Sequence, residues 1–231
     1  MRKLGDALKQ VVGEGYEAEA GAALRSVLMN ANRRRAFEFV AWHPCCTTGG
    51  VARALGVRGP TAEWHLRKLG EAGYVQEARL PRCRVYHAVG LGLEPEDVAS
   101  LAALSEPGAP QALSVVLATP GLTAHELAAR LDRRSARGPL RAMLAASLVV
   151  SVADGRFRRY YPGARVAALQ RGAPKRLRDF RRRLVRKMER DRLSPEVRSA
   201  PGDAVEVDVQ FGNERATLRL PAGSLLAGHL A

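Results

Sequence analysis

Cysteine is scarce in this chain of 231 residues: three positions, Cys45, Cys46 and Cys83, two of them adjacent. That is a poor disulfide framework and fits a reducing compartment. Long apolar runs are missing as well. Each is broken by Arg, Gly or a polar residue well short of the roughly 18 positions a membrane-spanning helix needs. The opening MRKLGDALKQVVGEGYEAEAG lacks the uninterrupted apolar region of a secretory signal, so a cytoplasmic, nucleoid-associated location is expected. Also missing are a GxxxxGK[ST] phosphate loop, an HExxH, a nucleophile elbow and a GxGxxG after a strand. Carboxylates and histidines occur singly along the chain, so no catalytic step, resident metal or cofactor is implied. Acidic residues are in deficit, 23 against 37 Lys and Arg, for a formal charge of +14. With a pI near 10.7 this is the electrostatic footprint of a polyanion binder, one that ribosomal proteins share. Hydrophobic content of 46% suffices for two small cores.

What is present is organised around residues 30–90, which read as three amphipathic helices and two short strands joined by a basic turn. Asn32 can cap a first helix, NRRRAFEFVAWH, whose Ala36, Phe37, Val40 and Ala41 form an inward stripe. Thr47 or Thr48 caps a second, carrying Val51, Ala52 and Leu55 and closed by Gly56. In GVRGPTAEWHLRKLGEAGYV, residues 56–75, Pro60 suits a first helical position. Ala62, Leu66 and Leu69 fall on one face, and Thr61, Glu63, Trp64, Arg67 and Lys68 lie off it. The segments 74–80 and 84–89 alternate as strands about a Pro81-Arg82-Cys83 tip.

HLRKLGEAGYV, His65 to Val75, closely resembles the end of the recognition helix and the start of the wing in ArsR/MarR-type winged-helix regulators, especially the tandem winged-helix proteins of archaea. The resemblance implies a transcriptional regulator that binds double-stranded DNA through a helix in the major groove. It places His65 half-buried, and it gives an added terminal helix, here within residues 1–30, a role in homodimer contacts, with simple packing on the domain's own core as the open alternative. Under it, Thr61, Glu63, Trp64 and Arg67 are the candidates for base edges, with Arg67 suited to guanine and Glu63 to the cytosine amino group. Arg33, Arg34, Arg58, Lys68, Arg82 and Arg84 are the candidates for phosphates. Arg33 to Arg35 oppose the dipole at a helix start, which a phosphate or solvent would offset.

A linker, residues 91–108, carries a short helix. The pattern then repeats over residues 109–165 after about 75 residues, a period suited to two copies of one domain. QALSVVLATPG, TAHELAARL capped by Thr123, and PLRAMLAASL are its helices, and Asp154-Gly155 marks its hairpin. Pro139 places the start of the third helix one turn late, with Leu140, Met143 and Leu144 inward and only Arg141 outward, so base reading by this copy is not expected. Arg133, Arg134, Arg137, Arg156, Arg158 and Arg159 form a secondary basic patch, extended by Arg181, Arg182 and Arg183.

Residues 166–200 read as a basic amphipathic helix with Leu177, Phe180, Leu184 and Met188 as a narrow stripe. From Lys175 to Arg192 it has ten Lys and Arg against Asp179, Glu189 and Asp191. A solvated face packed on the second domain and direct contact with nucleic acid both stay open. Residues 201–231 alternate about Gly212-Asn213 as a β-hairpin, which is not stable alone. Its Val205, Val207, Val209, Phe211, Ala216, Leu218 and Leu220 must cover this chain or a partner protein.

The expected fold class is therefore mainly α with small β wings, α+β, with two tandem winged helix-turn-helix domains and C-terminal appendages. Double-stranded DNA and a second copy of the chain are the expected partners, and a membrane is not. Two alternatives accompany this reading. One is an accessory factor of transcription, replication or RNA metabolism that binds nucleic acid or protein without reading sequence. The other is metal or redox sensing by His43, Cys45, Cys46, Cys83 and His87, for which the spacing is weak.

Overall fold

The structure is a computed structural model that describes residues 27–81 and 83–230. The greater part of the N-terminal extension read as a dimer contact, and Arg82, lie outside the described residues. A 3-10 turn, Val27–Met29, leads into α1, Ala31–Trp42. Asn30 caps α1, not Asn32: its backbone is extended and its side chain accepts from Arg33 N, so the helix begins before Asn32 is reached. The inward stripe of α1 is Ala36, Phe37, Val40 and Ala41, as read. Thr47 caps α2, Thr48–Leu55, by accepting from Gly50 N, and Gly56 closes it at φ 69°, a left-handed conformation that favours glycine. α3, Gly59–Glu71, has Pro60 in its first turn and buries Ala62, His65, Leu66 and Leu69. β1, Val75–Leu80, and β2, Cys83–Ala88, pair antiparallel, Leu80 opposite Cys83. Tyr86 adds a single bridge to Cys46, before α2.

After α4, Pro95–Ala103, the order recurs as α5, Ala109–Ala118; β3, Leu122–Thr123; α6, Ala124–Arg130; α7, Arg137–Ala145; β4, Val149–Asp154; and β5, Phe157–Pro162. The sheet order is β3-β5-β4. β3 occupies the place that the Cys46–Tyr86 bridge holds in the first unit. α7 starts two residues before Pro139, which sits in the first turn, where backbone N–H groups have no partner within the helix to lose. Leu140 and Met143 are buried as expected, but Leu144 is exposed.

α8, Ala164–Arg190, follows β5 after one residue, starts two residues before the 166–200 reading and ends ten residues short of it. Val166, Leu169 and Ala173 extend the buried stripe of Leu177, Phe180, Leu184 and Met188 through Pro174. The C-terminal appendage is not a hairpin but a three-stranded meander. β6, Ser194–Ala200, read as the end of the basic helix, pairs with β7, Ala204–Phe211, which pairs with β8, Glu214–Pro221. This meander packs on α1 of its own chain: Trp42 Nε1 donates to Arg219 O at 2.8 Å, and Arg219 N donates to Glu38 Oε1 at 2.7 Å. Val207, Val209, Leu218 and Leu220 are thereby buried, which removes the apolar surface that suggested a partner. The architecture is α+β, and no helix among the described residues is long and apolar enough to cross a membrane.

The closing helix α9, Ala227–Leu230, seats His229 against the end of α1. A Cβ on Gly228 would lie 2.3 Å from Trp42 O, so only glycine permits this approach. His229 Nε2 donates to Pro44 O at 3.2 Å, and its ring stands edge-on to His43 at 5.4 Å. Burial, reinforced by His43, pushes the His229 pKa down to about 4. The unfolded chain therefore takes up a proton that the native state refuses. Stability from this group is complete above about pH 6.5 and falls as pH drops toward 4, by up to about 3 kcal/mol. Urea midpoints should decline over that window, and His229→Gln should flatten the decline. Parallel profiles for the two proteins would refute this.

Candidate nucleic-acid interface

Amphipathicity orients α3. Its buried face packs on α1 and α2, so Thr61, Glu63, Trp64 and Arg67 stand on the opposite, exposed face, and no described residue of α8 or the meander covers them. Trp64 is 41% exposed, with its ring edge-on to His65 at 5.0 Å. The Arg33 guanidinium lies 5.7 Å above the Trp64 ring, a cation–π contact that ties α1 to this face. His65 is buried, more deeply than the resemblance implied, and its Nδ1 has no hydrogen-bond partner among the described residues. Burial first, and the nearby Arg33 second, lower its pKa and favour the neutral ring.

The charges on this face are already paired. Arg84, on β2, donates to Glu63 Oε1 at 3.0 Å and lies 3.8 Å from Glu77. Lys68 meets Glu71 at 2.7 Å, and Arg67 reaches the same carboxylate at 3.8 Å with 62% of its side chain exposed. Exposed pairs such as these are each worth about 0–1 kcal/mol, so an incoming phosphate or base can exchange for the carboxylate. Between α3 and the β1–β2 hairpin runs an open groove of about 310 Å³, lined by Glu63, Arg67, Glu71, Glu77, Arg84 and Tyr86 among others. Arg58, before the first turn of α3, is exposed and has no ion pair with a described residue.

Several cations read as phosphate contacts have other work. Arg33 Nε donates to Val27 O at 2.9 Å, and Arg34 donates to Leu28 O and Met29 O, each at 3.2 Å. The carbonyls of the preceding turn thus take up part of the positive charge at the start of α1, Arg33 and Arg34 being half-buried and Arg35 exposed. In the second unit, Arg133 donates to Pro107 O at 3.0 Å across Gly108, and Arg159 holds Asp154 and Gly121 O. Arg158 reaches Ser151 Oγ at 3.4 Å, and Arg156 lies 4.9 Å above the Phe157 ring. Arg134 and Arg137 are exposed. On α8, Arg181 donates to Pro221 O and Ala222 O, and Arg183 to Gly90 O, whereas Arg182 points outward. Two of the arginines assigned to phosphates, Arg33 and Arg34, and four of the secondary basic patch, Arg133, Arg159, Arg181 and Arg183, thus bond within this chain.

The cysteines do not converge on a ligand set. Cys45 and Cys46 are buried, and Cys83 is exposed at the start of β2. Burial pushes the Cys46 thiol up to about 12 and raises that of Cys45 as well, which keeps both protonated at neutral pH, whereas a metal binds thiolate. Among the described residues, no three His, Cys, Asp or Glu form a group that could hold a metal ion.

Asp97, third residue of α4, is a feature that sequence reasoning missed. Its carboxylate is 5% exposed and is held by Arg165 at 2.5 Å and by Arg176, both on α8, while it also accepts from Glu94 N at 3.1 Å. The signal available was the capping pattern Glu94-Pro95-Glu96-Asp97. It announces the helix start but not the two arginines, which lie 68 and 79 residues downstream. Comparison of the chain with protein-family models and with curated proteins finds no match.

Proposed function

We propose that this chain is a tandem winged-helix protein that binds double-stranded DNA sequence-specifically and regulates transcription, acting as a homodimer in the cytoplasm and nucleoid rather than as an enzyme. The observation that carries the reading is the free outer face of α3, with Thr61, Glu63, Trp64 and Arg67 exposed beside the β1–β2 hairpin. A helix of this width enters the major groove, where Arg67 recognises the acceptor pair of a guanine and Glu63 accepts from a cytosine amino group. Arg58, Lys68 and Arg84 then set register on phosphates, and the hairpin serves as the wing. Winged helix is likewise the reading we give to the α5–α7 unit with its β3-β5-β4 sheet. The small polar surface of α7 leaves it a supporting role.

The pairing of Glu63 with Arg84, and of Lys68 and Arg67 with Glu71, favours a second reading: a winged-helix accessory factor that uses its surface without reading bases. One measurement separates the two. Duplexes selected from genomic fragments should compete with a large excess of random DNA, and Arg67→Ala should relax the preference at one base pair by about 1–3 kcal/mol, roughly tenfold to a hundredfold. If the wild-type chain prefers no duplex at physiological salt, the accessory-factor reading replaces the regulator.

A further inference from the structure

The cations of α8 are sorted by direction. Those on its flanks, Arg190 at its last position apart, are spent inside the molecule: Arg165 and Arg176 on Asp97, Arg181 on two carbonyls at the end of β8, Arg183 on Gly90 O, and Lys187 on Asp191 at 3.0 Å. Those opposite the buried stripe are Arg171, Lys175, Arg178, Arg182 and Arg186, three or four residues apart and all exposed. None of the five makes a hydrogen bond or ion pair with a described residue.

On a straight helix this spacing gives one line of positive charge about 22 Å long, with a step of about 5–6 Å. No carboxylate interrupts it between Arg171 and Arg186, since Asp179 lies to one side and Glu189 beyond its end. A merely solvated face ordinarily mixes signs, because pairs of opposite charge three or four residues apart stabilise a helix and like charges repel. This face has forgone that stabilisation along its whole length.

We propose that the outward stripe of α8 is a second, sequence-independent contact for the phosphate backbone of double-stranded DNA. The inference rests on the DNA-binding reading of α3 and adds a second surface to it. The choice of occupant follows from what surrounds the charges. A membrane surface requires a free apolar face beside the cations, and the apolar face of α8 is consumed by this chain's own core. Single-stranded nucleic acid is held by bases stacked on aromatic rings, and the stripe has no aromatic residue. A duplex presents a phosphate about every 3.4 Å of axis on each strand, so a row of this length spans six or seven of them and needs no base contact. Such a contact raises affinity for every duplex equally and leaves the choice among duplexes to α3.

The test compares the wild-type chain with a variant carrying Arg171→Gln, Lys175→Gln, Arg178→Gln, Arg182→Gln and Arg186→Gln, titrated with a selected and a random duplex over a range of salt. The slope of log affinity against log salt should flatten by about 4, from roughly 0.9 per neutralised phosphate. Affinity should fall at least about tenfold for both duplexes while their ratio stays unchanged. A matched pair controls for net charge and folding: Arg178→Gln with Arg182→Gln should flatten the slope by about 2, and Arg53→Gln with Arg215→Gln by much less. An unchanged slope, equal effects of the two pairs, or tighter binding of single strands than of duplex would overturn the stripe. Loss of sequence preference with an intact slope change would instead overturn the reading of α3, and a wild-type chain that binds no duplex would overturn both.

Discussion

Phe180→Ala is expected to destabilise the protein by about 3–5 kcal/mol and to lower its melting temperature by roughly 10 °C. Phe180 is fully buried near the middle of α8, between Leu177 and Leu184, and its ring edge reaches the chain at Gly90, just past β2. Removing the ring costs its transfer from water and leaves a cavity that the surrounding helix cannot collapse to fill. The size of the effect reflects the place of α8. Lys187 lies 4.5 Å above the Tyr74 ring, Asp191 accepts from the Tyr74 hydroxyl at 2.6 Å, and Arg181 fastens the end of β8. α8 is the element on which the first unit, α4 and the meander meet. Phe157→Ala, at a position 47% exposed on the second hairpin, is the matched control and should cost well under 1 kcal/mol. Chemical denaturation of the three proteins decides the matter: equal midpoints for Phe180→Ala and the wild type would show that α8 is not a structural spine.

Asp97→Asn is expected to cost about 2–3 kcal/mol, through charge rather than shape. The amide retains the outline of the carboxylate and one acceptor for Glu94 N, but it leaves Arg165 and Arg176 without a counter-charge at a site with little water. Breaking a buried pair from one side costs about 3–5 kcal/mol when both partners are sealed. Here the arginine side chains keep 23% and 31% of their exposure, which moderates the loss. A second change, Arg176→Gln, removes one of the orphaned charges. The double variant should therefore be less destabilised than the sum of the single variants by about 1 kcal/mol or more. Strict additivity in a denaturation cycle would refute the coupled cluster. In either single variant, the junction of α4 with α8 should lose protection against amide exchange before the core of α1 to α3 does.

The elements that were legible in the sequence are those whose cause is local. The stripes of α1, α2 and α3 repeat at helical spacing, and Thr47, Gly56 and Thr123 carry their capping roles in their own chemistry. Gly155 and Gly212 take the positive φ that their hairpins require. The N-cap of α1 was misplaced by two residues because Asn30 and Asn32 have equal intrinsic aptitude, and only the turn Val27–Met29 selects between them. β6 was hidden for a different reason. Its residues are mostly exposed and do not alternate, Pro195 weakens any strand pattern, and an edge strand can accept both features.

For the candidate site, the outward set Thr61, Glu63, Trp64 and Arg67 followed from periodicity alone, because a residue opposite a buried stripe on a surface helix has only one direction to point. The fate of the charged heads did not. An arginine side chain reaches any carbonyl or carboxylate that folding brings within its span, and the partners of Arg181, Arg183, Arg165 and Arg84 lie 40, 93, 68 and 21 residues away.

The sequence by itself determined where α1 to α3 begin and end to within a turn, which side of each faces inward, and that the chain carries a large excess of positive charge. Those properties are fixed by backbone propensity and by hydrophobic periodicity over a few residues. Only the tertiary structure decided which cations are consumed in holding α8, α4 and the meander together and which remain on the surface. Pairing depends on distances across the fold, and in a chain with more cations than carboxylates the ones left over are chosen by geometry.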